Sequence, residues 1–188
     1  GYFAGIGITV GVQNTLIGGL AGDAITEGAR NVAVGKSALS ADTNGARATA
    51  IGFGALGVQN FTTATENFNV GVGYDAGAAV TTGTSNTLIG GLAGDAITSG
   101  ASNVAVGINS LGSNQTGSNS VAVGNGALSA QQGSGNMFNV GIGADAGVAV
   151  TTGIQNTIVG SLAGDALTDA DFNVALGYAS LSTDTLGS

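Results

Sequence analysis

The residues of this chain that could do chemistry are its aspartates. Neither histidine nor cysteine occurs among its 188 residues, which removes the commonest acid–base group, thiol nucleophiles and cysteine metal sites. Catalysis would therefore fall to paired carboxylates of the kind glycosidases use. Asp23, Asp95 and Asp165 share one register of a repeat described below, and Asp75 and Asp145 share another. Copies at one register stand four coils apart, about 19 Å at a strand spacing of ~4.8 Å, too far to act as a pair. A cross-register pair such as Asp75 with Asp95 falls in adjacent coils. The ordinary role of Asp in G-D-A is turn capping, so the chain reads as a non-enzyme with no required cofactor. Calcium is the one ion these residues would admit, at Asp75 or Asp145 with backbone carbonyls or a neighbouring chain. The G-G-x-G-x-D nonapeptide of calcium-binding rolls does not occur. Glycine strings such as Gly71 to Gly73 lack the helix and lysine of a phosphate loop.

Composition narrows the partners. Three basic residues face eleven acidic ones, a formal charge of -8, so nothing is present to neutralise a phosphate backbone and nucleic acid is not expected as a partner. Charged residues make up 7% and hydrophobic ones 43%, the opposite of a disordered segment. Thirty-six glycines without proline exclude collagen, which needs a three-residue glycine period and abundant proline. No apolar run is long enough to span a membrane, and membrane insertion is not expected. The chain opens with Gly-Tyr and reads as an ordered fragment of something longer, extracellular in character.

The elements that position these residues come from one unit. G-A-R-N-V-A-V-G, from Gly28 to Gly35, returns ten times, closing at Gly18, Gly35, Gly52, Gly73, Gly90, Gly107, Gly124, Gly143, Gly160 and Gly177. The steps are 17, 17, 21, 17, 17, 17, 19, 17 and 17 residues. A short β-former segment every 17 residues suits one turn of a β-coil and is too short for a helical solenoid. The expectation is all-β: a parallel β-roll or β-solenoid of about ten 17-residue coils, roughly 45 Å tall at ~4.8 Å per coil. Each coil would hold two short strands and two tight turns.

With the closing glycine as position zero, β-branched pairs occupy three and one before it. Val32 with Val34, Val70 with Val72, Val104 with Val106 and Val121 with Val123 are the examples assigned to the core, because period-two residues share a face. The residue between them (Leu, Ala, Gly or Ile) would then face outward, and a second copy would cover it. That predicts more than one chain: a homotrimer around a common axis fits a fibre, and a dimer stays open. Four before zero stands Asn14, Asn31, Asn69, Asn86, Asn103, Asn139, Asn156 or Asn173, with Ala48 and Ser120 as exceptions. Asparagine suits a corner because its amide bonds nearby backbone, and stacked copies would form a ladder.

A four-coil rhythm overlies the short one. N-T-L-I-G-G-L-A-G-D-A-I-T stands at 14–26 and again at 86–98. The blocks are a partial one at 1–13, super-repeats at 14–85 and 86–155, and a partial one at 156–188. The two long steps precede the fourth coil of their blocks and interrupt an otherwise uniform surface, which makes them candidate receptor contacts: Phe61, Thr62, Thr63, Glu66 and Asn67 in the first excursion, Gln131, Gln132, Ser134, Asn136 and Met137 in the second. Phe68, Phe138 and Phe172, five before their closing glycines, could stack on a sugar or seal an edge between chains. Threonine looks too sparse for an ice-binding plane.

G-S-N-S-V-A-V-G at 117–124, with its companions at 28–35 and 100–107, resembles the YadA-like head repeats of trimeric autotransporter adhesins. The resemblance covers essentially the whole chain and implies a left-handed roll of three chains used for attachment. The family's usual repeat is shorter, and richer strings such as N-V-A-L-G-Y-A-S-L also resemble repeats of bacteriophage tail fibres. The expected function is a structural and adhesive segment of a phage tail fibre or appendage that meets a host glycan or receptor. The alternative is a bacterial trimeric adhesin or extracellular matrix protein; polysaccharide hydrolysis and ice binding stand behind both.

Overall fold

A computed structural model describes residues 1–185; the end of the last partial block, residues 186–188, lies outside the described residues. The chain is a parallel β-solenoid. Ten three-residue strands, Thr15–Ile17, Val32–Val34, Thr49–Ile51, Val70–Val72, Thr87–Ile89, Val104–Val106, Val121–Val123, Val140–Ile142, Thr157–Val159 and Val174–Leu176, form one parallel sheet in chain order. Their register is fixed by position: Val32 pairs with Thr49 and Ala33 with Ala50, and so on up the stack.

The coil has one continuous strand where two were expected. The stretch after each closing glycine holds left-handed residues two and four positions on, such as Leu20, Ser37 and Leu39 at φ 53–59°, and these break the extended backbone. It is still bonded coil to coil, since Ser37 N–H donates to the Gly19 carbonyl and Leu39 N–H to that of Ala55. Two small parallel ladders accompany the excursions, Gly45–Ala46 with Thr65–Glu66 and Thr116–Ser118 with Ser134–Asn136.

The closing glycines explain themselves. Their φ values lie between 117° and 141°, open only to glycine. A Cβ at Gly90 would also stand 2.6 Å from the carbonyl oxygen of Gly107. These glycines thus stack backbone on backbone up one edge of the rod.

The sheet faces the other way from the sequence expectation. The middle residue of each strand is the buried one: Ala33, Ala50, Leu88, Ala105, Ala122 and Ile158 are fully enclosed. The flanking Val32, Val34, Val70, Val72, Val104, Val106, Val121 and Val123, assigned to the core, are half-buried on the outside of the coil. The reason is width. Alternation fixes which residues share a face and leaves open which face turns inward, and a 17-residue coil is too narrow for two β-branched side chains per strand.

Size complementarity fills the interior and accounts for the four-coil rhythm. Where the strand's middle residue is Ala, a leucine four after the closing glycine occupies the axis, as with Leu39, Leu56, Leu111 and Leu128. Where it is Leu or Ile, that position is glycine. In the fourth coil both are glycine, and neighbours fill the space: a Cβ at Gly77 would meet Leu88 Cδ1 at 2.7 Å and Leu56 Cδ2 at 2.8 Å. Large and small residues interdigitate along the rod as in any close-packed interior.

Candidate functional site

Three kinds of surface feature remain on this rod: a buried polar column that reaches the surface through the excursions, two exposed rims of mixed chemistry, and the outward sheet face.

The asparagine column is a ladder. The side-chain oxygen of Asn14 accepts the backbone N–H of Asn31 at 2.9 Å, Asn69 does so for Asn86 at 2.9 Å and Asn86 for Asn103 at 3.1 Å. Every amide of the column but the last, Asn173, also donates to a corner carbonyl of the next coil, as Asn31 does to Gly45 at 2.9 Å and Asn139 to Gly153 at 2.7 Å. Asn156 continues the series, bonding the N–H of Asn173 at 2.9 Å. Coil-to-coil backbone donors and acceptors at this corner are thereby satisfied inside an apolar rod.

The ladder breaks at Ala48 and Ser120, and there the excursions insert a buried glutamine. Gln59 accepts from the Asn69 amide at 2.8 Å and donates to Asp42 Oδ2 at 2.7 Å. The other Asp42 oxygen takes the N–H groups of Gly45 and Phe61, both at 3.0 Å. In the second block Gln131 accepts from the Asn139 amide at 2.9 Å and donates to Ser120 Oγ at 3.1 Å. Asn67 substitutes for the missing acceptor, taking the N–H of Asn69 at 3.0 Å.

This corrects four of the ten proposed contact residues. Phe61, Asn67, Gln131 and Met137 are buried, two as hydrogen-bonding plugs and two as apolar filling; Met137 packs over Gly133. An interrupted ladder needs an internal repair, and the extra residues of each long step deliver it. Thr62, Thr63, Glu66, Gln132, Ser134 and Asn136 are exposed. The signal was present in the sequence: each exception in the asparagine column immediately precedes a long step.

The rims run along either edge of the sheet. Five before each closing glycine a left-handed residue turns its side chain out: Arg30, Arg47, Phe68, Asn119, Phe138 and Phe172 among them. Arg47 pairs with Glu66 at 2.8 Å and lies 5.5 Å over the Phe68 ring. One after each closing glycine lies the other rim. There Phe53 and Tyr74 stack at 5.5 Å and 9°, with Lys36 Nζ 5.8 Å over Phe53. A hydrogen bond to Asp75, followed by that carboxylate's charge, raises the Tyr74 phenol above its usual value.

Asp75 and Asp95, the cross-register pair, lie in adjacent coils and feel each other's charge, although equivalent copies stay four coils apart. Burial, with Asp75 as a smaller contribution, raises Asp95 above the usual aspartate value despite backbone N–H groups that oppose the shift. Its Oδ1, like those of Asp23 and Asp165, is buried without a hydrogen-bond partner. Among the described residues no three acidic side chains converge at Asp75 or Asp145, or elsewhere.

A threonine column also emerges. Thr9, Thr26, Thr81, Thr98, Thr151 and Thr168 each donate the hydroxyl to the carbonyl one coil on, at 3.0–3.2 Å. It is one residue wide and its hydroxyl protons are spent within the rod, so it ties coils together and forms no plane.

The outward face of the ten-stranded sheet carries only Thr, Val, Ile and Leu at its two side-chain columns. Ile17, Ile51, Ile89 and Ile142 are exposed, and the valines between them half-exposed. No helix among the described residues is long and apolar enough to cross a membrane. Comparison with protein-family models, curated proteins and solved structures gives no match to this chain. Its rigid, elongated all-β repeat suits a structural, fibre-like role.

Proposed function

We propose that this chain is a segment of an extracellular fibre, of the kind bacteriophages carry as tail fibres or appendages, that works as a homotrimer about a common axis and contributes to host-surface attachment. The observation that carries the reading is the outward sheet face: ten rungs of uncharged, mostly aliphatic side chains on a solenoid with no second layer. A contiguous apolar patch of this extent marks an interaction surface, and its in-register repetition favours an equally regular partner, which a second copy supplies. The correction of facing changes the residues on the stripe, from the small middle ones to the flanking Val, Ile and Thr, and gives it more apolar area.

Of the six exposed excursion residues, Glu66 and Asn136 bond the rim residues Arg47 and Asn119, and Thr62, Thr63, Gln132 and Ser134 offer the non-uniform surface that a glycan or receptor would read. The role is structural and adhesive rather than catalytic. Light scattering tests the assembly. A mass of three times 17.8 kDa is expected, and a double change Val104→Glu, Val106→Glu is expected to release folded monomers. A wild-type monomer at micromolar concentration would sink the proposal.

A further inference from the structure

The two rims flanking the sheet carry complementary residues on several rungs, and we infer that in the assembly the rim five before each closing glycine packs against the rim one after it on the neighbouring copy, at the same height. The inference rests on the trimer reading and adds its geometry: a closed ring of unlike edges with no axial shift.

Width comes first. Six residue steps separate the two rims, at most about 20 Å at ~3.3 Å per residue and nearer ~15 Å once the left-handed residue at one rim and the closing glycine beside the other bend the chain. Three faces of that width joined edge to edge put each sheet about 4–6 Å from the axis, close to half the ~10 Å at which facing sheets pack. Four would stand about 7–10 Å away and leave a channel that Val and Ile fill poorly. Two laid flat would hold the rims about 10 Å apart, beyond the reach of the small rim residues. At roughly 45 Å of height, each copy buries about 700–900 Å², comparable to the ~800 Å² per partner of a standard stable interface.

Chemistry then matches along the edge. Phe68 shares a rung with Tyr74, and Phe172 with Tyr178, ring opposite ring, with Phe68 half exposed and Tyr74, Phe172 and Tyr178 more so. Asn119 shares a rung with Asn125, amide opposite amide, while Ser85 falls opposite Gly91, where a Cβ would meet nothing within 4 Å. The one like-charged rung, Arg30 with Lys36, is relieved within each chain. Arg30 leans one coil back, donating to Gln13 at 3.1 Å, and Lys36 leans one coil forward over Phe53.

Cysteine-free wild type makes the test clean. Within one chain, same-rung rim positions stand about 15–20 Å apart, well beyond the ~7 Å Cα limit of a disulfide, so any link is intermolecular. Ser102→Cys with Ile108→Cys shares a rung; Ser102→Cys with Ala144→Cys is shifted by two. Mild oxidation of the first is expected to give a closed covalent trimer, on the order of tenfold more than the shifted pair, and single variants to stay unlinked. A trimer by light scattering in reducing buffer that links no better in register than out of it overturns the rim pairing and leaves the trimer standing. A monomer in reducing buffer overturns the trimer, and the pairing with it.

Discussion

Single residues hold strain that the stack alone makes tolerable. All the closing glycines but the last, Gly177, sit where any Cβ would strike the carbonyl of the next coil. Gly90→Ala is therefore expected to cost roughly 2–4 kcal/mol, combining backbone strain with a contact that must shift. Gly91→Ala, one residue on, enters open space and is expected to stay within about 0.5 kcal/mol. Thermal unfolding of the two variants side by side checks the contrast. Asp95 supplies a pH signature. Its folded value lies above the ordinary 3.8, so folding favours the protonated form. The stabilisation is full below the unfolded value and is lost as pH rises through the folded one. Asp95→Asn is expected to raise the melting temperature at neutral pH and to flatten the gain seen on acidification. An unchanged pH profile would refute this account of Asp95.

At the scale of the element, each excursion has an inner and an outer job. The inner job is repair of the asparagine ladder. Gln131→Ala leaves the Asn139 amide and Ser120 hydroxyl short of partners in a buried site, and is expected to cost about 1–3 kcal/mol; Gln132→Ala, exposed beside it, is expected to cost almost nothing. Chemical denaturation distinguishes them. The outer job we propose is recognition. Thr62→Ala, Thr63→Ala and Glu66→Ala together are expected to leave melting nearly unchanged, because the Arg47–Glu66 pair is exposed and worth little. The same triple variant is expected to weaken adsorption to host cells. Wild-type adsorption by the variant would remove this excursion from the contact surface.

For the whole molecule, stability adds up coil by coil through nearest neighbours. A defect in the middle, such as Leu88→Ala, removes a side chain that fills the space over Gly77 and Gly94 and is expected to cost about 2–5 kcal/mol. The proposed trimer would respond to a different set of residues. Val104 and Val106 contribute little inside one coil, yet acidic replacements there would place charge at a common axis where nothing pairs it. Folded monomers by circular dichroism and light scattering are the expected result; an unchanged trimer would mean the outward face is not the interface.

Much of this was legible in the sequence, for a physical reason. A solenoid repeats its backbone, so the closing glycines, the asparagine corner and the number of coils follow from period alone. So do the parallel register and the four-coil rhythm. What period could not supply was the sign of the sheet. Val32 and Val34 share a face with either hand of the coil, and only the volume available inside a 17-residue turn puts Ala33 in and the valines out. The excursions were located by their length, but length does not separate Gln131, which turns inward to mend a ladder, from Gln132, which points to solvent. That division depends on which polar groups in neighbouring coils lack a partner, a condition that exists only once the coils are stacked.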